Sequence, residues 1–230
     1  MFGARLREAL PRVEERIARA LERSGRSGDV TLVAVTKGHP ADAVRAAAEA
    51  GIRDCGENRA AELVRKRAEL GSPVRWHLIG HLQRNKVRSV LGAFDLIHSV
   101  DSVRLAQELS AEAERAVRDV DALIQVNASG EGTKGGFDVD SALDAIAEVV
   151  MLPRLHVRGL MTMAPFTEDE AVLRQTFRRT RTLFDTCAGE VPGFNAWDLS
   201  MGMSNDFDMA VEEGSTMVRL GTVLFGERTP

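Results

Sequence analysis

Residues 30–51 read VTLVAVTKGHPADAVRAAAEAG, and this stretch decides the fold. VTLVAVTK (30–37) is an apolar, β-branched run of the kind that forms a buried strand. PADAVRAAAEAG (40–51) has the pattern of an amphipathic helix. The same unit repeats. IRDCGE (52–57) precedes NRAAELVRKRAELG (58–71), VRWHLIG (74–80) precedes HLQRNKVRSVLG (81–92), and FDLIHSV (94–100) precedes DSVRLAQELSAEAERA (101–116). DALIQVN (121–127) leads through a glycine-rich loop into SALDAIAEVVML (141–152). LHVRGLMTM (155–163) leads into DEAVLRQTFRRTRTLFDTC (169–187), and AWDLSMGMS (196–204) into DFDMAVEEG (206–214). TMVRLGTVLFG (216–226) closes the series. Eight strand candidates alternating with helices predict parallel βαβ units and an α/β fold, a (β/α)8 TIM barrel. An open doubly wound sheet is the alternative, but it usually has fewer strands and a G-x-G-x-x-G turn after the first. Here that turn is TKGHP.

Before the first strand, Leu6, Leu10, Val13, Ile17 and Leu21 recur at helical spacing, so an extra N-terminal helix is expected. Pro11 either starts its main part or kinks it. No linker or composition break divides residues 1–230, which predicts one domain. The N-terminal charges interrupt any signal-like apolar stretch, and no run reaches membrane-spanning length. With 34 acidic against 30 basic residues, the net charge of −4 gives no argument for nucleic acid or a membrane surface. Cys55 and Cys187 form neither a disulfide framework nor a zinc pattern. Both read as reduced, in a cytoplasmic protein, with Cys55 as core filler. The chain has no tyrosine, so no mechanism needing a phenol is open to it.

Barrel active sites lie at the C-terminal ends of the strands, and the unusual residues fall there. Lys37 ends the first strand. Glu57 and Asn58 follow the second, His77 and His81 bracket the end of the third, and His98 and Ser99 end the fourth. Asn127 ends the fifth strand and Met161–Met163 the sixth. SMGMS (200–204) ends the seventh and RLGT (219–222) the eighth. A lysine on a rigid strand end, partly desolvated, can lose its proton and attack a carbonyl; the plainer reading is a charge marking the exit to solvent. Ser200, Gly202, Ser204, Gly221 and Thr222 supply hydroxyls and close backbone approach where barrels often hold phosphate. Read singly, Ser204 is a helix cap for a helix beginning near Asn205 or Asp206, and Gly221 a tight turn. Arg219 alternates with Val218 and Leu220, so it points into a barrel interior that should be apolar. It either reaches a carboxylate at the rim or faces a pyridine nitrogen, as an arginine does in some pyridoxal phosphate enzymes. His77 and His81 do not share a helical face, which argues against a metal site. Lys134 reads as a loop charge. The methionines read as core, although Met201 or Met203 is placed to flank a flat ring.

LVAVTK, CGEN, WHLIGHLQRNK, IHSVDS, IQVNASGEGTKGGF, GLMTMAP, LSMGMSNDF and VRLGTVLFG together resemble the pyridoxal phosphate homeostasis proteins along nearly the whole chain. The resemblance implies a single barrel like the alanine racemase N-terminal domain, holding pyridoxal 5′-phosphate as a Schiff base with no established turnover. By position, Lys37 would carry that link and Arg219 would face the ring nitrogen. Ser200, Gly202, Ser204, Gly221 and Thr222 would surround the phosphate, with Met203 beside them and Asn58 and His81 lining the ring. One departure is visible: the family commonly has an aromatic after GEN, where this chain has Arg59.

Three functions compete. A carrier would buffer the cofactor and supply apo-enzymes; it is expected to be monomeric and not an enzyme. An amino-acid racemase would need a base on each face of the ring, and neither a tyrosine nor a second domain is available for the other face. A class I aldolase would form its imine with substrate and leave Arg219 without a purpose.

Overall fold

A computed structural model describes residues 2–130 and 135–227. Helix α1 (Phe2–Ser24) runs through Pro11 without interruption and is followed by β1 (Thr31–Val35), α2 (Ala41–Glu49), β2 (Asp54–Glu57), α3 (Ala60–Leu70) and β3 (Arg75–Leu78). Next come a short α4 (Val87–Val90), β4 (Leu96–Val100), α5 (Val103–Arg115), β5 (Val120–Asn127) and a two-residue β6 (Phe137–Asp138). The chain continues with α6 (Ala142–Val150), β7 (Leu155–Met161), α7 (Glu170–Glu190), β8 (Asp198–Ser200), α8 (Phe207–Glu212), β9 (Met217–Leu220) and α9 (Thr222–Phe225).

The strands pair in parallel in the order β1–β2–β3–β4–β5–β7–β8–β9, and β9 pairs back onto β1, closing an eight-stranded barrel. The small β6 adds to β5 outside that ring. Eight strand-and-helix units therefore fold as expected, with one local difference. The run 216–226 stops being a strand at Leu220, and residues 222–225 turn into α9. Gly221 breaks the strand, the ring is already closed, and the remaining apolar residues pack on the helical layer, where α9 meets α1.

Two apolar regions form. The large one lies between the barrel wall and the helices and includes Ala34, Cys55, Trp76, Leu78, Phe177 and Leu220. The small one is Val33, Leu96, Leu123, Met161 and Met217. Paired strand residues share a face, and Val33 pairs with both Asp54 and Arg219. The small cluster is thus the barrel interior, and polar groups share it. Cys55 sits in the outer layer, where burial, then Glu57 and Asp54, push its thiol up to about 12, so it is filler and no nucleophile.

Helix α1 lies across α2, α8 and α9. Leu6, Val13, Ile17 and Ala20 make its buried stripe. Arg16 sits 4.1 Å above the Phe207 ring and pairs with Asp208 at 3.0 Å, and Arg23 pairs with Glu212. Such partly exposed pairs contribute at most about 1 kcal/mol each, so the apolar stripe holds the helix.

The β7–β8 contact depends on Gly159, at φ +150°, where an added Cβ would stand 1.9 Å from the Asp198 carbonyl oxygen. Gly159→Ala is expected to cost about 3 kcal/mol or more from clash plus backbone strain. Urea unfolding measures this, and an unchanged midpoint would contradict the packing described.

Candidate functional site

Lys37 lies two residues past Val35 on the parity of Val33 and Val35, at the C-terminal mouth of the barrel, and is half-buried. The residues on either side of it are pinned from behind. Lys66 of α3 donates to the Thr36 carbonyl at 2.8 Å and to Glu57 Oε1 at 2.6 Å. The Thr36 hydroxyl donates to the same Glu57 oxygen at 2.6 Å. Glu62 accepts from the Gly38 N–H at 2.9 Å and pairs with Lys66 at 2.9 Å. Lys66 and Glu57 are wholly buried. Burial pushes the Glu57 carboxyl up, and hydrogen bonds from Lys66 and Thr36 pull it back. Burial acts the same way on Glu62, but there the bonds from Lys66 and Gly38 win and hold it below its ordinary value. The result is a charged staple that immobilises the backbone carrying Lys37.

Arg219 lies on β9, the strand next to β1, paired with Val33, and its guanidinium reaches the ends of β7 and β8. It is 4% exposed. Its Nη1 donates to Ser200 Oγ at 2.6 Å, its Nη2 to the Thr162 carbonyl at 2.8 Å, and its backbone N–H to the Gly202 carbonyl at 3.0 Å. Burial lowers the guanidinium to about 10, with Asp206 opposing, so it remains a cation at neutral pH. The expectation of an inward arginine holds, but its hydrogen-bond partners are a hydroxyl and a carbonyl.

The loops after β8 and β9 pack closely around it. Gly202 has φ +95°, and a Cβ there would stand 2.7 Å from Ala210 Cβ and 2.9 Å from Phe207 Cα, so α8 is seated directly on it. A Cβ at Gly221 would come within 3.2 Å of the Val35 carbonyl, so this loop presses on β1 just before Lys37. Ser204 does not cap α8, as its position suggested; it accepts from the Val223 N–H of α9 at 3.4 Å, while Asp206 takes the Met203 N–H. It thereby ties the two loops together. Met203 and Ser204 are half-buried and Thr222 exposed. The Ser200 hydroxyl turns instead into the interior, toward Arg219 and His98.

The remaining rim is tied together loop to loop. A Cβ on Gly80 would lie 2.0 Å from the Asn58 carbonyl oxygen, so the turns after β2 and β3 touch. The Ser99 hydroxyl donates to Gly80 O at 2.7 Å, and His81 Nδ1 lies 2.9 Å from Asp101. Asn58 is half-buried beside the Lys37 turn, because β1 and β2 are in register at Val35 and Gly56. His81 is well exposed, two strands away, and is not drawn into the same cluster. Arg59 is exposed. The glycine-rich loop enters through Gly135, whose carbonyl accepts from Gln125 at 2.7 Å. Lys134 lies outside the described residues. Among the described residues, no group of three or more His, Cys, Asp or Glu side chains could hold a metal ion, and no helix is long and apolar enough to cross a membrane.

A line of polar groups crosses the barrel interior below Arg219. His98 Nδ1 is 3.1 Å from Ser200 Oγ, and His98 Nε2 is 2.8 Å from His77 Nδ1. His77 Nε2 is 2.8 Å from Asp54, which pairs with half-exposed Arg75 at 2.7 Å. Burial holds His98 well below its ordinary value, with help from His77 and Arg219.

Two features were not anticipated: the staple and this interior line. Leu63, Lys66 and Leu70 share one face of α3, and that spacing could have flagged Lys66 as buried. The histidine pair joins two strands 21 residues apart and left no local signal.

Lys66→Met strips the compensation from Glu57 and is expected to cost about 3–5 kcal/mol, with much of it restored in Lys66→Met/Glu57→Leu. Urea unfolding of both variants checks this, and equal stability of the single variant and the wild type would remove the staple. A second outcome concerns pH. Unfolded His98 takes up a proton near its ordinary value of 6.5, and folded His98 does not. The stability it contributes is therefore complete above that value and lost as pH falls below it. From pH 6.5 to 5.5 the wild type should lose about 1 kcal/mol more than His98→Asn. Parallel pH profiles of unfolding would contradict a neutral buried His98.

Comparison with known proteins gives a consistent result. The family model "Alanine racemase, N-terminal domain" matches residues 9–229. A pyridoxal phosphate homeostasis protein of Aquifex aeolicus is 41% identical over 225 residues, 96% of this chain and 97% of that protein. The structure of PipY from Synechococcus elongatus with PLP bound superposes with a TM-score of 0.81 at 39% identity, covering 91% of this chain and all of that one. An alanine racemase of Clostridium difficile has a TM-score of 0.79 at 16% identity, covering 97% of this chain and 60% of its own, which shows a shared fold. A barrel with a lysine and a buried arginine on neighbouring strands, related over nearly its whole length to these proteins, belongs to the pyridoxal phosphate homeostasis protein family, built on the alanine racemase N-terminal domain.

Proposed function

We propose that this chain binds pyridoxal 5′-phosphate at the mouth of its barrel and acts as a carrier that limits the free cofactor and supplies apo-enzymes. The observation that carries the reading is the pair of anchors: half-buried Lys37 on an immobilised turn after β1, and the buried cation of Arg219 on the neighbouring strand β9. PipY, with PLP bound, and the homeostasis proteins supply the cofactor's identity. The residues present suit such a group. Gly202 and Gly221 bring backbone within reach at positions where a side chain would collide with α8 or crowd the β1 carbonyl. Ser204 and Thr222 add hydroxyls beside them, and Met203 offers an apolar edge. The phosphate belongs in this cradle, with Asn58 along the ring.

The cofactor supplies an aldehyde that an amine can capture. Lys37 is the amine that would capture it, its neutral Nζ bonding to the aldehyde carbon with loss of the oxygen as water. The staple behind Thr36 and Gly38 holds the amine in place, which lowers the entropic cost of capture. Arg219 donates from a fixed position and keeps its proton, so a ring nitrogen facing it stays unprotonated. That arrangement weakens the ring as an electron sink and favours holding over turnover. Ser200 acts through Arg219, because its hydroxyl is already engaged.

A racemase reading requires a second proton-transfer group. The chain has no tyrosine, both cysteine thiols are buried and pushed up, and His81 stands exposed at the rim. We therefore read the protein as a non-catalytic, single-domain monomer of the cytoplasm. Nothing in its charge or fold suits nucleic acid or membrane.

The test is direct. Protein incubated with pyridoxal phosphate and reduced with borohydride should carry one cofactor on the Lys37 peptide by mass spectrometry, and Lys37→Ala should lose that adduct. Loaded protein should then reactivate an apo-enzyme. An adduct found mainly on another residue, or sustained turnover of alanine enantiomers at ordinary enzyme rates, of order 1 per second or faster, would overturn the proposal.

A further inference from the structure

The line of side chains from Arg219 to Asp54 has a hydrogen-bond direction, and the chemistry of its two ends fixes it. Arg219 has only N–H groups to offer, so Ser200 Oγ accepts from Nη1 at 2.6 Å. Asp54 is bonded to Arg75 at 2.7 Å and accepts, so His77 Nε2 carries a hydrogen. Between Arg219 and Asp54 stand one hydroxyl and four ring nitrogens. In one arrangement Ser200 O–H donates to His98 Nδ1, His98 Nε2–H donates to His77 Nδ1, and His77 Nε2–H donates to Asp54. Every nitrogen then has one role, both rings are neutral, and every proton has an acceptor. In the reverse arrangement His77 holds two protons and becomes a further buried cation. Ser200 then accepts twice, and its own proton has no acceptor in the line. A buried network with an unmatched proton is disfavoured against a fully matched one, so the first arrangement prevails.

We propose that His98, backed by His77 and Asp54, is a positioning residue for Arg219: the two imidazoles hold the Ser200 hydroxyl in one orientation and so fix the guanidinium beneath the mouth. The inference rests on reading Arg219 as the partner of the ring nitrogen. The Thr162 carbonyl fixes one arm of the guanidinium and Ser200 the other. A serine hydroxyl rotates freely unless its proton is claimed, and His98 claims it. Burial supports the neutral state: His77 and His98 are at most 1% exposed. The charged groups facing the line are Arg219 from β9, Asp54 from β2, Arg75 from β3, and Asp198 from β8, which pairs with Arg158 of β7 at 2.9 Å.

Two measurements decide the matter. Long-range proton–nitrogen spectra of 15N-labelled, cofactor-free protein at neutral pH should show His98 and His77 as neutral rings, each protonated at Nε2 alone. A doubly protonated His77, or His98 protonated at Nδ1, would overturn the arrangement whether or not any cofactor binds. In loaded protein, His98→Leu should shift the visible absorption band and weaken retention of the cofactor about tenfold. His98→Asn, whose amide oxygen can still accept from Ser200, should stay within about twofold of wild type. If both variants match the wild type, or both fail equally, Arg219 is not positioned this way. Arg219→Lys separates the two ideas: an unchanged absorption band and retention there would remove Arg219 from the ring nitrogen, while the nitrogen spectra would still report on the interior line.

Discussion

A guanidinium sealed inside a barrel governs this structure. Arg219 cannot shed its charge at neutral pH, and it is almost out of contact with water. Such a charge is tolerated only where fixed dipoles and countercharge replace the lost hydration. The Thr162 carbonyl, the Ser200 hydroxyl and Asp206 do so here. Each carries a further constraint. Asp206 stays in place by accepting from Met203, which shapes the loop after β8. Ser200 stays in place through two histidines that cross the interior to Asp54. One buried cation thus explains why a barrel interior expected to be apolar contains a polar seam, with Val33, Leu96, Leu123, Met161 and Met217 filling the rest.

The second fixed point solves the same problem outside the barrel, behind β1 and β2. Lys66 is a fully buried ammonium with two carboxylates, a backbone carbonyl and the Thr36 hydroxyl gathered around the group. Burying such a cluster gains little net stability over apolar packing. What it gains is geometry: the bonds terminate on Thr36 and Gly38, the neighbours of Lys37. Two desolvated charge networks, one inside the barrel and one outside β1 and β2, therefore leave the mouth rigid. Rigidity of this kind suits a group that must be held for long periods.

The strand and helix alternation was legible in the sequence because barrel strands are short apolar runs and the helices between them keep a 3.6-residue stripe. The inward direction of Arg219 was legible from parity alone, and so was the gathering of glycines and hydroxyls at one rim. What escaped was set by contacts between distant segments. Lys66 sits in a helix rich in charge, and only its spacing from Leu63 and Leu70 marks it as buried. His77 and His98 each read as an isolated strand residue until the barrel closes and brings a nitrogen of each ring within 2.8 Å of the other. Ser204 looked like a cap for the helix after it, but the chain returns through β9 and offers Val223 instead. The apolar run 222–225 suits a strand or a helix equally, and closure of the ring decided for the helix.

The same constraints bear on the reading proposed above, in which a cofactor is held and not turned over. Proton exchange at a bound amino acid needs a strong electron sink and a general base on each side of the ring. On that reading Arg219 would weaken the first, since a partner that always donates leaves a ring nitrogen no proton of its own. For the second, Lys37 would stand on one side. On the other the described residues offer Asn58, which does not titrate, and an exposed His81 bound to Asp101 at the rim. The alanine racemase of Clostridium difficile extends well beyond the part this chain matches, which covers 60% of its length. On the proposed reading Lys37 and Arg219 account for holding a cofactor, whereas racemisation would call for a second proton-transfer group beside them.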